Sequence, residues 1–486
     1  MSHQDRTSDI VINHETIKQA VDWLLPPLLF VRLKVRKGAT WSARMLAVAA
    51  LLWATSDRPT LKSRFEHARK IVKKVFRWMP APGATYQGFL KVLRKWHVEL
   101  MLAITPYVQT QMKEVLPGQW EIAGYVVFAG DGSRVELART EALERAYSPK
   151  RSRKANGKRR KQKRGRGSKC SAKRRTAKKK KKKQSEESLK KKANSPQMWL
   201  TLLWHVGTGL PWTWRTGPSD SSERAHLEEM LEELPKSSLI TADAGFVGYD
   251  FWTRVLQANH HFVIRVGGNV RLLRKLGHAR EYEHTVYLWP DQAAKKEQPP
   301  LALRLIVIHA GRQPMYLVTD LTKTQLSDRQ AAEIYGARWG IELFFRTFKQ
   351  TFGCHKLRSE SPENAKLELD WSMLGLWCVC LLGQRELFES GQAPDRLSPV
   401  AAIRAFQDTI RDYRVRPERR EENFWSRLQD ALMDDCERSS SKTSRNYPRK
   451  KVRERIVSPK IAEATKLQIN TARELKEKER EIRLSA

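Results

Sequence analysis

The chain has 486 residues, 40% of them hydrophobic, which is enough for two to four domains with buried cores. Its formal charge of +38 predicts a polyanionic partner, with nucleic acid as the first candidate and an anionic membrane surface as the second. No segment has the roughly 18–20 apolar residues of a membrane span, and the N-terminus lacks an apolar signal region, so we expect a cytoplasmic, nucleoid-associated protein with no membrane partner.

Residues 1–118 are predicted to form a helical N-terminal domain that binds DNA. Apolar residues recur every three or four positions in four segments: Leu24–Lys34, Ala43–Trp53, Leu61–Met79 and Tyr86–Ile104. The third segment is also rich in lysine and arginine, which favours DNA binding. The alternative is an ordinary amphipathic helix with a charged outer face, since no helix-turn-helix signature is present.

After Pro117-Gly118 the pattern changes from helices to short apolar strands. Gly124–Ala129 is wholly apolar, favours a buried strand, and is followed by Asp131 between two glycines. An acid at this place is expected to point from the edge of a sheet into a cleft. The alternative is an aspartate that only stabilises a turn.

Residues 150–192 interrupt this pattern with 24 lysines and arginines and two acids. A block of this charge is predicted to be disordered and to look like an insertion in the surrounding fold. We expect it to bind phosphates without sequence preference, with an affinity that falls as salt rises. The rest of the chain remains basic without it.

The pattern of strands and helices then resumes and predicts an α/β fold. One strand of this part ends at Asp243, which is followed by Ala244-Gly245-Phe246, so a second acid stands at a strand end. Residues 267–322 are predicted to be a small antiparallel β insertion. The predicted strands are Gln197–Val206, Leu210–Arg215, Ser238–Ala242, His261–Val266, Thr285–Trp289, Leu301–His309 and Met315–Thr319, and the helices are Ser221–Leu234 and Asp250–Asn259.

Ser327–Phe352 is predicted to be one amphipathic helix. At 100° per residue, one narrow polar stripe holds Tyr335, Arg338, Glu342, Arg346 and Lys349. This stripe is either a functional surface or a solvated face with charge pairs worth about 0.2–0.5 kcal/mol each. An adjoining apolar stripe faces the core, and a third face with Gly336 and Gly340 allows another element to approach closely.

Glu363–Leu382 is predicted to be a core helix, and residues 385–486 a helical C-terminal region with a basic tail. The α/β layout could bring Asp131, Asp243 and Glu342 together. Three carboxylates repel one another, and divalent cations relieve that repulsion. Mg²⁺ binds through a few carboxylates and substrate phosphates, so acids for metal and cations for phosphate suit DNA as the substrate.

At these residues the sequence resembles the IS-four type of DDE transposases from bacterial insertion sequences. Tyr335, Arg338, Glu342 and Lys349 match the signature Y-x2-R-x3-E-x6-K without gaps. Asp243 opens a matching D-x-G-F element, and Asp131-Gly132 follows an apolar strand as in the family. The resemblance runs from about residue 120 to 360, with a weaker match in Arg445–Lys451, whereas the polybasic stretch 150–192 departs from the family pattern.

The resemblance implies a ribonuclease H-like catalytic domain, residues 119–384, that contains the β insertion. It implies that Asp131, Asp243 and Glu342 bind two Mg²⁺ or Mn²⁺ ions, and that Tyr335, Arg338 and Lys349 contact phosphates. Arg346 joins these contacts by its place on the stripe. A tryptophan of the insertion can stack on a flipped base in this family, and Trp289 is the tryptophan within the predicted limits.

The function implied is cut-and-paste transposition by a homodimer on two transposon ends, which frees a 3′-OH and joins it to target DNA. Two alternatives remain open at the level of sequence. One is a transposase-derived nucleic-acid-binding protein that has lost its chemistry, and the other is a nuclease that cuts without strand transfer.

Overall fold

One ten-stranded sheet organises the part of the chain that the structure describes, with helices packed around it in a mixed α/β arrangement. The structure is a computed structural model and describes residues 13–33, 40–77, 81–148, 196–309, 314–414, 423–433 and 458–485. The polybasic stretch 150–192 and the motif Arg445–Lys451 lie outside these residues.

The strand order in the sheet is β10-β6-β7-β8-β9-β5-β4-β1-β2-β3. β1 and β2 are antiparallel, as are β2 and β3, whereas β1, β4 and β5 run parallel to one another. The strands are β1 Val127–Glu136, β2 Gln197–His205, β3 Leu210–Gly217, β4 Leu239–Ala242, β5 His261–Val266, β6 Arg271–Arg274, β7 Thr285–Leu288, β8 Leu301–Ile308, β9 Met315–Thr319 and β10 Lys460–Glu463.

The first strand is longer than its apolar sequence predicts. β1 continues past Asp131 to Glu136, because β2 pairs with it along its length, from Phe128 with His205 to Glu136 with Gln197. Backbone hydrogen bonds to a neighbouring strand support polar residues in a strand as well as apolar ones. The prediction that the strand ends before Asp131 was therefore wrong, although its parallel pairing with β4 does end there.

The predicted β insertion is antiparallel, but it is not a separate layer. β9 pairs with β5, and β8, β7 and β6 follow it outwards, so the insertion widens the central sheet. β10, from the C-terminal region, pairs in parallel with β6 at the far edge. The short strand β6 and the helix at Asp291–Lys295 were not predicted from the sequence.

The helices lie at both ends of the chain and between the strands. Two of the four predicted N-terminal segments agree with the structure within a few residues at each end, and the last extends further than predicted. The α-helices of the described residues are α1 Asn13–Leu24, α2 Ala43–Thr55, α3 Leu61–Val75, α4 Tyr86–Val115, α5 Glu141–Tyr147, α6 Glu223–Met230, α7 Tyr249–Gln257, α8 Asp291–Lys295, α9 Asp328–Ala337, α10 Gly340–Arg346, α11 Pro362–Glu389, α12 Pro399–Arg411, α13 Phe424–Gln429 and α14 Lys466–Ser485.

The helix predicted at Leu24–Lys34 was wrong, because α1 ends where that helix was expected to begin. Pro26 and Pro27 follow, and proline cannot donate the backbone hydrogen bond that a helix interior needs. Pro27 instead opens a short 3₁₀ turn that ends at Phe30.

The predicted core helix is confirmed as α11, most of which is buried. α2 and α4 from the N-terminal region pack against it, as do α12 and α13 from the C-terminal region and the strand β3. The predicted boundary between residues 384 and 385 falls inside this helix. Helices from both ends of the chain therefore share one core with the sheet. Among the described helices, none combines the length and the apolar character that a membrane span requires.

The single helix predicted at Ser327–Phe352 is broken in the structure. α9 begins after a capping box formed by Ser327 and Gln330, and two residues, Arg338 and Trp339, separate the end of α9 from the start of α10. Between them the backbone tightens, since Ile341 and Glu342 donate hydrogen bonds to residues three positions before them. A π-helical turn, Thr347–Thr351, ends the segment. The two glycines, Gly336 and Gly340, weaken helix propensity on either side of the break.

Candidate active site

The parallel pairing of β1 with β4 places two of the predicted acids side by side. Its last registered pair is Gly130 with Ala242, and the next residue on each strand is Asp131 or Asp243. Neighbouring strands lie about 4.8 Å apart, so the two carboxylates leave the sheet as neighbours. Oδ1 of Asp131 accepts a hydrogen bond from the Gly132 N–H at 2.8 Å, and Oδ1 of Asp243 accepts one from the Gly245 N–H at 2.8 Å.

Glu342 reaches the same place from the first turn of α10. It shares an open cleft of about 320 Å³ with Asp131, Gly132 and Ser133, and the remaining lining residues are Phe345, Arg346, Lys349 and Gln350. The structure thus connects the three acids predicted from the sequence through Asp131, which has Asp243 on one side and faces Glu342 across the cleft.

The position of α10 is set by packing on both of its other faces. Ile341 and Phe348 are fully buried and Phe345 nearly so, which confirms the predicted apolar stripe. On the opposite face, Gly340 lies against the ring of Trp204 from β2, and a side chain at position 340 would overlap that ring. Trp204 is therefore the close-packing partner that the glycine face predicted, while Gly336 faces open space.

The surroundings of the Asp131 carboxyl disfavour its charged form. Burial raises the pKa of Asp131 to about 6, against the opposing effects of the Gly132 hydrogen bond and the Arg338 charge. The negative charges of Asp243 and Glu342 raise the pKa of Asp131 further. A group with a shifted pKa in a cleft is typical of a functional site.

A fourth acid, Glu223, lies at this site and was missed by the sequence analysis. It is the first residue of α6, directly after the N-cap Ser222, and it approaches Gly132 from the side of β1 that α6 covers. Burial raises the pKa of Glu223 to about 7, and the charges of Asp131 and Asp243 add to this effect. The sequence Ser-Ser-Glu indicated only the beginning of a helix, because that pattern is also ordinary capping.

The predicted phosphate contacts fall into two groups. Tyr335 and Arg338 are buried, and the Arg338 guanidinium lies over the Tyr335 ring at 5.5 Å. Nη2 of Arg338 donates a hydrogen bond to Oε1 of Glu342 at 3.0 Å. In this conformation Arg338 holds Glu342, and Tyr335 packs against Arg338.

Lys349 and Arg346, in contrast, line the open cleft. Nζ of Lys349 donates a hydrogen bond to Oγ of Ser133 at 2.5 Å, and burial lowers the pKa of Lys349. The side chain of Arg346 is exposed.

Trp289 lies away from the surface. It is 6% exposed, and its indole N–H donates a hydrogen bond to the carbonyl of Gln298 at 2.9 Å. Stacking on a flipped base would require this ring to leave the core. An exposed tryptophan does occur at the site, since Trp339 stands in the break between α9 and α10 with 56% of its surface in solvent.

Carboxylate oxygens at this edge of the sheet suit a hard divalent cation. Mg²⁺ commonly takes one or two carboxylates and fills its remaining positions with water and substrate phosphates. Asp131 and Asp243 fit that donor set, while Glu342 is held by Arg338. As the side chains stand, no group of three or more His, Cys, Asp or Glu residues within the described ranges is arranged to hold a metal ion.

The model of the family described as the transposase DDE domain matches residues 124–378, just over half of the chain. The chain belongs to this transposase family. The match spans Asp131, Asp243 and Glu342, and it confirms the resemblance to DDE transposases that the sequence predicted.

A relative of this chain is the transposase InsG for insertion sequence element IS4 of Escherichia coli strain K12. The two are 28% identical over 169 residues, an alignment that covers 32% of this chain and 37% of the relative. Among solved structures, a piggyBac transposase synaptic complex with hairpin DNA covers 88% of both chains with a TM-score of 0.38 and 9% identity.

Proposed function

We propose that this DDE transposase cleaves DNA at transposon ends and transfers the freed 3′-OH strand to target DNA in cut-and-paste transposition. The observation that carries the proposal is the shared cleft. The register of β1 and β4 makes Asp131 and Asp243 neighbours, and α10 brings Glu342 to the cleft that Asp131 lines. The match to the transposase DDE domain spans all three acids, which supports their assignment as the metal-binding acids that the resemblance implies.

Asp131, Asp243 and Glu342 hold two Mg²⁺ or Mn²⁺ ions in this proposal. When bound, the ions supply Lewis-acid activation of the attacking and leaving oxygens of a phosphodiester. Arg338 keeps Glu342 pointed at the cleft and lowers the cost of its charge before a cation arrives.

Lys349 and Arg346 contact DNA phosphates, because both line the cleft next to Asp131. Tyr335 holds Arg338 by stacking against its guanidinium. The exposed ring of Trp339 offers a surface on which an unpaired base can stack.

The strand order β3-β2-β1-β4-β5, antiparallel and then parallel, supports a ribonuclease H-like catalytic domain widened by the β insertion. α3 presents an exposed basic face to DNA, made up of Lys62, Lys70, Lys73, Lys74 and, just beyond its end, Arg77. The polybasic stretch adds non-specific affinity through phosphate contacts. The protein acts as a homodimer that holds two transposon ends, on the nucleoid in the cytoplasm.

The proposal is tested by cleavage of a supercoiled plasmid that carries the ends of the element, in Mg²⁺ or Mn²⁺. Asp131→Asn, Asp243→Asn and Glu342→Gln are each expected to lower the cleavage rate at least about 1000-fold, because each removes a charged ligand on which transition-state stabilisation depends. Binding to the same DNA in a gel-shift assay should be retained. Asp250→Asn, an exposed acid on α7, is the matched control and should cleave normally.

An acid variant that cleaves at the wild-type rate would remove that residue from the centre. A wild-type protein that binds the ends but cleaves with neither metal would support the alternative, a transposase-derived DNA-binding protein without chemistry. Cleavage without joined products would support a nuclease.

A further inference from the structure

The carboxylate of Glu223 is built into the wall of the acid site by two features of the backbone. α6 starts at Glu223 because the Ser222 hydroxyl caps it by accepting from the Ala225 N–H, and α6 packs against β1, β2 and β3. This packing carries Glu223 to Gly132. A Cβ atom at position 132 would lie 2.6 Å from Oε1 of Glu223, so only glycine leaves room for the carboxylate beside Asp131.

Glu223 forms no salt bridge among the residues that the structure describes, although the positive charge of Arg134 partly offsets the effect of burial on its pKa. The other acids of α6 behave differently, since Glu228 pairs with Arg254 at 3.3 Å and Glu229 approaches Arg215 at 3.7 Å. Glu223 is half-buried and has neither an ion pair nor a hydrogen bond within these ranges. A partly buried carboxylate without an ion pair or a hydrogen bond costs stability, and a bound cation would offset that cost.

We propose that Glu223 is a fourth carboxylate of the divalent-metal centre and binds Mg²⁺ or Mn²⁺ together with Asp131. The inference rests on the proposed function, since it adds a ligand to the centre assigned there. Oxygen ligands of this kind are those that Mg²⁺ and Mn²⁺ prefer. Two divalent cations carry four positive charges, and Glu223 supplies the fourth negative charge beside Asp131, Asp243 and Glu342.

The test measures Mn²⁺ binding to the full-length protein without DNA, by electron paramagnetic resonance of the free ion. Glu223→Gln is expected to lower Mn²⁺ affinity about 10-fold, within the range seen when groups that tune a metal site are removed. Gly132→Ala removes no acidic residue, but its methyl group displaces the Glu223 carboxylate, so this variant should lower the Mn²⁺ affinity as well. Glu232→Gln, an exposed acid just after α6, is the matched control and should bind like wild type.

Thermal unfolding in EDTA separates a metal ligand from a structural residue. Removing an unpaired, half-buried charge should leave the Tm of Glu223→Gln equal to or above that of wild type, and the increase in Tm on adding Mn²⁺ should be smaller. A lower Tm in EDTA with an unchanged Mn²⁺ affinity would assign Glu223 a structural role and overturn the inference.

Asp131→Asn separates a failure of the role inferred for Glu223 from a failure of the proposed metal centre. If it weakens Mn²⁺ binding while Glu223→Gln does not, the centre stands and the role of Glu223 is refuted. If neither variant changes Mn²⁺ binding, the proposed metal centre and this inference are both refuted.

Discussion

Asp370 and Asp131 are both shielded from water, but their surroundings differ and shift their pKa values in opposite directions. Asp370, on α11, is 3% exposed and accepts three hydrogen bonds: from His97 Nε2 at 2.9 Å, Trp214 Nε1 at 2.8 Å and Lys366 Nζ at 2.8 Å. Burial would raise its pKa, but the contacts with His97 and Lys366 outweigh burial and lower the pKa of Asp370. Asp131 receives one backbone hydrogen bond from its neighbour and has two further acids close by, and its pKa is raised.

The comparison shows what distinguishes a structural acid from an acid held ready for a ligand. The donors to Asp370 come from α4, β3 and α11, so its charge ties three elements together. Asp131 and Glu223 tie nothing together, and their charges repel. A carboxyl whose pKa is raised, and that lies beside further acids in a cleft, is typical of a site that takes an external partner.

The largest expected effect is on stability at Asp370. Asp370→Ala should lower the free energy of unfolding by about 3–5 kcal/mol, because it removes one partner from a buried, hydrogen-bonded charge network. Asp131→Asn should leave the stability in EDTA at pH 8 unchanged or raised. Urea unfolding of both variants measures the difference, and a similar loss in both would abolish the distinction between the two acids.

The next effect concerns the placement of Glu342. Gly340→Ala puts a methyl group against the Trp204 ring, so α10 must shift and carry Glu342 with it. We expect cleavage to fall about 100-fold, as when a reacting group is misplaced by about 1 Å, with DNA binding retained. Gly336→Ala is the control, since it faces open space and should only raise helix stability by about 1 kcal/mol. Equal cleavage rates in the two variants would show that Trp204 does not position α10.

The two acids should also respond to pH with opposite signs. The folded-state pKa of Asp131 is about 6, above its ordinary value, so its contribution to stability is present at acid pH and is lost as the pH rises through 6. The lowered pKa of Asp370 means that its contribution is present at neutral pH and is lost only in acid.

In EDTA, wild-type stability should therefore fall between pH 5 and pH 8, by about 1–2 kcal/mol from Asp131 after allowing for solvent screening. Asp131→Asn should reduce this slope to the part that Glu223 contributes with its pKa of about 7, and Mn²⁺ should reverse the slope in the wild type. Urea midpoints at three pH values are the measurement. A slope that Asp131→Asn leaves unaltered would assign the pH dependence to other groups.

The smallest expected effect is at Arg346, an exposed cation of the cleft. Arg346→Ala should weaken DNA binding about equally for all sequences and reduce the slope of log affinity against log salt by about 1, because one phosphate contact is lost. Arg329→Ala, exposed on α9 and paired with Glu333, is the control. A slope equal to that of the control would mean that Arg346 does not touch DNA.

Much of the acid site followed from local sequence. Asp243 after a short apolar strand, and the spacing from Tyr335 to Lys349, pointed to the residues that line or adjoin the cleft, because strand ends and helix faces repeat with fixed periods. The hairpin of β2 and β3 and the burial of α11 were predicted for the same reason. The extension of β1 beyond Asp131 was not predicted, because its polar residues pair with β2, which lies more than 60 residues later in the chain.

The sequence by itself determined the three acids, the apolar stripe of α10 and membership of the transposase family, since these depend on residue type and spacing. Only the tertiary structure decided that Trp289 is buried, that Trp204 fills the space at Gly340, and that Glu223 approaches Gly132. Each of these depends on contacts between elements that are distant in sequence, or on where a break in the helix falls. Hydrophobic periodicity does not encode such contacts, because it records only which face of an element is buried and not what covers it.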